Sequence, residues 1–560
     1  MTTQVSRRDF VGGASLAALG VATGAAAKTV RADEAVEGIA VNLPQEWDEE
    51  TDVVVIGTGT TMYGAIKMAS EGLDVIAIDA FMTPGGTAAL SGGHQWLPCN
   101  PIAVENGDTR EAAYAYIRHC ASEVEVSDEL VYAFIDNTTP MLEFIDPILQ
   151  DTSQNVGYVL TAGFGDYHPD WDGGLQQGRT VDFRVGKSGD AACDKTIWSA
   201  AVMEAAEKLG VDIRTNTRAT DLVYSIQSNG VPQVLGVVVE DGEGTKAIKA
   251  RNAVLMGCGG FEWNEDYKKR FLRVPSVYPT TLSTNDGFGV RMGMKLGADL
   301  KNMTACFGNM TYRESADERT AMGAPAGIVF SRHRPHTMIV NKDGRRFFDE
   351  ACDTHAACKS FANMDPTGEC GDAAMPAWFV ADSRWLAAGG PTDYLMGDVD
   401  ERGVYPFFKM ADTLEELAAL MDFDDETTQT FLNEVEVFNG YCDDLYDPQF
   451  KRGTNLYDVI NAEGDPNAEG PARTLGAVAE PPFYAAQMAP STLGTCGGPA
   501  INVRAQVMHA TGEPISGLYA CGNCTGFGGP GYNYGGNGGA LGPGFTMGYI
   551  AACSIIEEAR

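Results

Sequence analysis

Asp52-Val53-Val54-Val55-Ile56-Gly57-Thr58-Gly59 is a continuous apolar run that stops at a glycine pair, and its reading decides the fold. Four β-branched residues in a row, without alternation, describe a strand buried on both faces of a parallel sheet. A helical pattern follows from about Thr61 to Glu71. A second apolar strand, Val75-Ile76-Ala77-Ile78, then ends at Asp79. Strand, glycine turn, helix, strand and terminal acid within roughly 30 residues make a βαβ unit of the dinucleotide-binding kind. Gly57 and Gly59 permit a tight turn and close approach of a pyrophosphate to the helix N-terminus. Asp79 stands where an acid meets a ribose hydroxyl pair. One position departs from the pattern: Met62 replaces the third glycine, and Gly64 follows two places later.

More glycine loops extend the argument. Gly85-Gly86-Thr87 and Ser91-Gly92-Gly93 lie just beyond the unit. Met256-Gly257-Cys258-Gly259-Gly260-Phe261 ends another strand, Ala253–Met256. Gly517-Leu518-Tyr519-Ala520-Cys521-Gly522-Asn523 returns near the C-terminus. A nicotinamide dinucleotide needs one such loop; several converging from both ends of the chain fit the longer FAD, lying extended across the sheet. Thr60, Thr61, Ala219, Asp286, Gly522, Asn523, Gly539 and Leu541 join these glycines and Asp79 as candidate FAD contacts. The loops also account for composition, since 66 of 560 residues are glycine, about 12% against roughly 7% in ordinary proteins.

The chain carries 40 basic and 76 acidic side chains, a formal charge of −36. That balance repels phosphate backbones and anionic lipid, so nucleic acid is excluded as a partner. No stretch reaches the roughly 18 apolar residues of a membrane span. Residues 1–27 read as a twin-arginine export signal: Ser6-Arg7-Arg8-Asp9-Phe10-Val11, an apolar run, then Ala25-Ala26-Ala27. Export to the periplasm or the outer cell surface is therefore expected. The 13 cysteines form no disulfide framework. Cys521-Gly522-Asn523-Cys524 has redox spacing but lies in a nucleotide loop. An iron–sulfur cluster on Cys352, Cys358 and Cys370 is an alternative that their spacing does not favour. No metal site is expected.

Residues 28–50 read as an acidic, irregular linker. Helices are expected at about 110–119, 128–146 (opened by Ser127) and 195–209, with β-rich sequence from 211 to Met256. Between 300 and 455 the pattern changes to short strands such as Thr337–Val340 and acidic helices, one begun by the capping box Thr413-Leu414-Glu415-Glu416. The fold class is α/β: a Rossmann-like FAD-binding domain from 51–300 and 456–560, with an inserted α+β capping domain at 301–455.

On Asp52–Gly93, Asn285-Asp286-Gly287, Asn341-Lys342-Asp343-Gly344-Arg345-Arg346-Phe347 through Glu350, and Pro481-Pro482-Phe483-Tyr484 to Ile550, the chain resembles a flavoprotein family. That family comprises soluble fumarate reductases, urocanate reductases and 3-ketosteroid Δ1-dehydrogenases. The resemblance implies noncovalent FAD under a cap, and hydride transfer between flavin N5 and a carbon–carbon bond beside an activating group. At the places of the fumarate branch's functional Arg, His and Arg, this chain has Thr354, Gly494 and Gly535. Dicarboxylate recognition wants paired guanidinium groups, so fumarate is not the expected substrate.

The C-terminal runs Ser491–Gly498, Tyr534-Gly535-Gly536-Asn537-Gly538 and Gly542-Pro543 are instead similar to the ketosteroid branch. The resemblance assigns Tyr534 and the Gly538 N–H to the substrate carbonyl, an oxyanion hole for an enolate-like state. It assigns a second tyrosine to Tyr167, after Asp166. The branch's remaining tyrosine falls at Thr354, so Thr354 or His355 is expected to relay the proton. Arg345-Arg346 is expected to anchor the cap through carboxylates.

The expected activity is that of an exported FAD oxidoreductase acting on a CH–CH bond conjugated to the carbonyl of an uncharged or largely apolar small molecule. A respiratory ene-reductase of an enone, unsaturated lactone or unsaturated acid leads, drawing on a separate cytochrome or quinol-linked carrier. A 3-ketosteroid dehydrogenase is the close alternative. A flavin electron-transfer protein without small-substrate turnover is the alternative of another class.

Overall fold

The βαβ unit forms as Glu49–Ile56, Met62–Ser70 and Val75–Ile78 in a computed structural model. The model describes residues 39–121, 124–161, 163, 165–186, 195–365, 372–462, 467–529 and 534–560. The expected export signal, residues 28–38 of the expected linker and Cys370 lie outside the described residues.

Val53–Ile78 pairs lie parallel, from Val53 opposite Val75 to Ile56 opposite Ile78. The two strands sit inside a nine-stranded sheet that also draws Pro514–Ala520 and Gly244–Met256 together in parallel. Both ends of the chain therefore build the same sheet. Val53, Val54, Val55, Ala77 and Ile78 have no exposed surface, and each large side chain so buried contributes about 1.5–3 kcal/mol.

The first core strand starts at Glu49, three residues before the apolar run. The expected linker is also partly strand, since Ile39–Ala40 pairs antiparallel with Ser225–Ile226. Charge pairing explains the early start: Arg214 bonds Glu49 at 2.7 Å, and Arg251 reaches Glu50 at 3.1 Å and Asp52 at 2.7 Å. Helices form at Arg110–Cys120, Asp128–Gln150 and Lys195–Lys208, as expected to within a few residues. Ser127 caps the second, accepting from the Leu130 N–H at 3.2 Å.

Gly64 explains the departure in the glycine pattern. A Cβ at Gly64 would run into the Gly548 carbonyl of the C-terminal helix, Leu541–Ala559. The glycine needed for close crossing is displaced by two residues, and Met62 is wholly buried instead.

A second, six-stranded sheet is built on Phe483–Thr495, which pairs with Tyr278–Pro279, Cys306–Tyr312, Ala377–Ala381 and Lys409–Ala411; Thr337–Val340 pairs with Ala377–Ala381. Its central strand comes from sequence beyond residue 455. Beneath it lies a fully buried ion cluster. Arg346 bonds both Glu350 oxygens at 2.7 Å and Asp447 at 2.9 Å, and Arg452 reaches Glu350 at 3.2 Å. Arg346 is thus an anchor, as expected. Although burial opposes it, Arg346 and then Arg452 hold the Glu350 carboxyl below the usual carboxylate range. Such a cluster tolerates no unpaired member, because a lone charge left buried costs several kcal/mol. Gly38–Arg560 form one compact unit.

Candidate active site

A cavity of about 590 Å³ opens along the C-terminal ends of the parallel strands, where ligands of such sheets bind. At one end lie Asp79 and Ala219; at the other, Tyr167, Tyr534 and Gly538.

The glycine turn builds the first end. Gly57 takes a φ of +95°, and its N–H donates to the Ile78 carbonyl at 2.8 Å. Thr58 donates to one Asp79 oxygen from its N–H at 3.0 Å and its hydroxyl at 2.6 Å, while the other oxygen accepts from the Phe81 N–H at 2.8 Å. Asp79 is thus fixed at the cavity edge with lone pairs left over, since a carboxylate offers about four. The helix Met62–Ser70 has no side-chain cap and no acidic residue in its first turn. The Met62 N–H turns back to the Gly59 carbonyl at 3.2 Å, so the N-terminal dipole and the next N–H groups are left for an anionic ligand. Gly57, Gly59, Thr60, Gly86 and Thr87 line this stretch, followed by Ser91, Gly92 and Gly93. Gly259, Asp286, Asn523 and Leu541 close the other walls. A dinucleotide needs bare backbone, uncapped N–H groups and a ribose acid in this order, and these residues provide them.

Five expected contacts stand behind the wall. The Thr61 hydroxyl turns inward to the Gly57 carbonyl. Gly85 donates from its N–H to the Thr58 hydroxyl at 2.8 Å. A Cβ at Gly260 would meet Thr495 and Glu262, and one at Gly522 would meet Thr60. The Gly539 N–H donates to the Gly536 carbonyl at 3.0 Å. Their work is to shape the loops.

Tyr167 and Tyr534 come from distant segments joined by backbone. The Tyr167 N–H donates to the Gly535 carbonyl at 3.0 Å, and Asp166 pairs with Gly536 in an isolated bridge. Asp166 accepts from Trp96 Nε1 at 2.8 Å and from buried Arg179 at 2.6 Å; Arg179 also binds Asp108. The two tyrosine rings lie 5.8 Å apart, and the Tyr167 hydroxyl donates to Asn537 Oδ1 at 3.0 Å. Burial pushes the Tyr534 phenol up to about 12, opposed by nearby N–H groups of Ala540, Gly538 and Gly539. Tyr534 and Gly538, the pair assigned to an oxyanion hole, thus line the same end of the cavity.

Thr354 lines the cavity, but His355 does not. His355 is 1% exposed, and both ring nitrogens are enclosed without a partner among the described residues. Burial lowers its pKa to about 4, with Asp353 opposing. The expected proton relay through His355 is therefore corrected: the ring is neutral at pH 7 and stands behind Tyr534. Asp353, two residues before it, caps the helix Thr354–Lys359 and meets His168 Nε2 at 3.5 Å.

Several wall residues carried no motif. Asn309, His333, Tyr457, Asn461 and Leu493 line the same end as Tyr534, and Asn537 lies within the quoted glycine run. Glu262, fully buried, accepts from the Thr281 hydroxyl at 2.6 Å and from Asn285 at 2.8 Å, tying the loops over the cavity together. Among the described lining residues Arg218 is the sole guanidinium, and it pairs with Asp286 at 3.1 Å beside the Ala219 end. No group of three or more His, Cys, Asp or Glu among the described residues is arranged to hold a metal ion.

The match to a family described as FAD binding domain runs from residue 52 to residue 539. The chain belongs to this family. Its cofactor is FAD, and it is a flavin-dependent oxidoreductase acting on CH–CH donors. It is similar to a 3-oxosteroid 1-dehydrogenase of Mycobacterium tuberculosis, 31% identical over 91% of this chain and 99% of the relative. It is also similar to the digoxin reductase of Eggerthella lenta, 25% identical over 92% of this chain and 91% of the relative. In fold it is similar to a 3-ketosteroid Δ1-dehydrogenase from Sterolibacterium denitrificans, with a TM-score of 0.78 at 24% identity, covering 91% of this chain and all of that one.

Proposed function

We propose that this flavoprotein reduces a carbon–carbon double bond conjugated to the carbonyl of an uncharged, largely apolar molecule such as an enone or unsaturated lactone. The observation that carries the reading is that Tyr534 and Gly538 line one end of the cavity together, where no described lining residue is Lys or Arg. Donors aimed at one oxygen stabilise negative charge that develops there, and without a guanidinium a carboxylate substrate has no counter-charge. Bound FAD supplies the two-electron hydride chemistry. The protein grips the carbonyl oxygen through Tyr534 and Gly538, seats the carbon skeleton against Leu493 and the aromatic rings, and excludes bulk water.

Export is part of the proposal, supported by Arg7-Arg8 and the apolar run after them. In this reading the electrons come from a separate carrier, and the acidic balance of −36 suits a basic protein donor. The 31% identity to a 3-oxosteroid 1-dehydrogenase supports a second reading, in which the same site dehydrogenates a ketosteroid. The same enolate-like state serves both directions.

Anaerobic mixing of the reduced holoprotein with enones, unsaturated lactones and unsaturated acids tests the first reading by flavin reoxidation. Ketosteroids with the oxidised protein and an artificial acceptor test the second. If no compound changes the flavin faster than buffer alone, both fall and a carrier role without small-substrate turnover takes their place. Fractionation of a native host tests export.

A further inference from the structure

We propose that Tyr457 is the proton-exchanging residue of this site, donating to the carbon next to the carbonyl during reduction and accepting from it in the reverse direction. The inference rests on the functional reading above, but its evidence is separate.

A proton donor must line the cavity, carry a free acidic hydrogen and be held in place. Six other candidates each fail one condition. His355 is walled off. The hydroxyls of Tyr167 and Tyr394 are spent on Asn537 Oδ1 at 3.0 Å and the Leu90 carbonyl at 2.8 Å. Tyr534 is committed to the carbonyl oxygen. His333 Nε2 is enclosed, and burial together with Arg332 and Arg452 drives its pKa well below that of an ordinary histidine. Thr354 offers only an aliphatic alcohol, a far weaker acid than a phenol.

Tyr457 meets all three conditions. It lines the cavity, and among the described residues its hydroxyl makes no hydrogen bond. That hydroxyl is not among the enclosed polar atoms lacking partners, so the 3% of surface that Tyr457 keeps opens into the cavity. Its ring stands edge-on to Tyr167 at 5.1 Å, and Tyr167 is 5.8 Å from Tyr534. Tyr457 and Tyr534 thus both pack on Tyr167, and all three line the same cavity.

The short helix carrying Tyr457, Leu456–Ile460, is fastened on both sides. Asn455 caps it by accepting from the Asp458 N–H at 2.9 Å, and Asp458 accepts from the Gly453 N–H at 2.8 Å. Arg452, just upstream, belongs to the ion cluster under the second sheet. Burial pushes the Tyr457 phenol up, with Arg332 opposing, so the hydroxyl carries its proton at neutral pH.

The step balances. With the hydride for the new C–H bond at the β-carbon supplied by reduced FAD when it is bound, the alkene π pair would move toward the carbonyl held by Tyr534. That pair then forms a C–H bond at the α-carbon with the proton from the Tyr457 O–H bond, which breaks. The substrate gains two electrons, the cofactor loses two, and the phenolate left on Tyr457 is reprotonated from water.

The test uses the full holoprotein and α-proton exchange, followed by NMR in D₂O, of a saturated ketone matching an active substrate. Tyr457→Phe is expected to keep its FAD and bind the ketone within about twofold, yet to lose α-exchange and alkene reduction together by about 10²-fold or more. Placing 3-fluorotyrosine, a more acidic phenol, at 457 is expected to move the alkaline limb of the exchange profile to lower pH. Retention of full exchange in Tyr457→Phe, or an unmoved profile with the fluorinated residue, overturns the assignment. If the wild-type protein itself neither exchanges nor reduces any carbonyl compound, the functional reading fails and Tyr457 falls with it.

Discussion

The imidazole of His355 stacks on the phenol of Tyr534, with ring centroids 5.2 Å apart and planes inclined at 27°. Phe307 meets Tyr534 edge-on at 5.1 Å, so the carbonyl-gripping tyrosine is clamped between two rings. His355 is thus a shaped, neutral backing plate. In His355→Phe the stack survives and two unpartnered buried nitrogens disappear, which costs little or stabilises. Steady-state kcat/KM is expected to stay within about threefold of wild type.

The same histidine has a pH signature. Its folded pKa, about 4, lies below the unfolded value near 6.5. The unfolded chain therefore binds the extra proton first, and His355's contribution falls as pH drops from about 6.5 to 4, by up to about 3 kcal/mol. Asp166 and Asp393, raised by burial to about 6, titrate in the same window with opposite sign. The difference between wild type and His355→Phe isolates the effect. Denaturant melts at pH 7 and pH 5 are expected to favour the variant increasingly as pH falls.

Removing the Tyr534 hydroxyl leaves the ring clamp intact but takes away one oxyanion donor. Tyr534→Phe is expected to retain FAD and fold, while kcat for an active substrate falls about 10²–10³-fold. Unchanged turnover in stopped-flow flavin reoxidation would remove the oxyanion role.

What was legible in the sequence was local. Val53–Ile56, Gly57, Gly59 and Asp79 announce a βαβ cofactor site because strand, turn and acid are neighbours along the chain, and Tyr534 and Gly538 share one short run. Asn309, His333, Tyr457 and Asn461 come from three separate segments, and no spacing rule links them; only the second sheet and its ion cluster bring them to one wall. His355 was misjudged for a related reason. Sequence records that a histidine is present beside Thr354, but whether it faces the cavity or a neighbouring ring depends on how Phe307 and Tyr534 close over it. Gly64 shows the converse, a local departure whose cause, Gly548, lies almost five hundred residues away.

Arg179 ties Asp108 and Asp166 together with about 1% of its side chain exposed. Arg179→Leu would strand two buried carboxylates and release the loop that holds Tyr167 against Gly535. A loss of about 3–5 kcal/mol is expected, measured as a lower denaturation midpoint at pH 7. Doubling the change with Asp108→Asn and Asp166→Asn should recover part of that loss, because the stranded charges are gone.

Asp79 offers the most direct check on the cofactor end. Its carboxylate accepts from the Thr58 N–H and hydroxyl and from the Phe81 N–H, so it fixes the turn while facing the cavity. Asp79→Asn keeps the size but exchanges one acceptor oxygen for a donor NH₂, which cannot satisfy all three protein donors and a ribose hydroxyl pair at once. Hydrogen bonds to charged groups contribute about 1.5–3 kcal/mol each. Losing one or two toward the ligand predicts FAD binding weaker by about 10- to 10³-fold. Equilibrium dialysis of the apoprotein against FAD measures this directly. Equal affinity in wild type and Asp79→Asn would mean that the adenosine ribose is held elsewhere along the cavity.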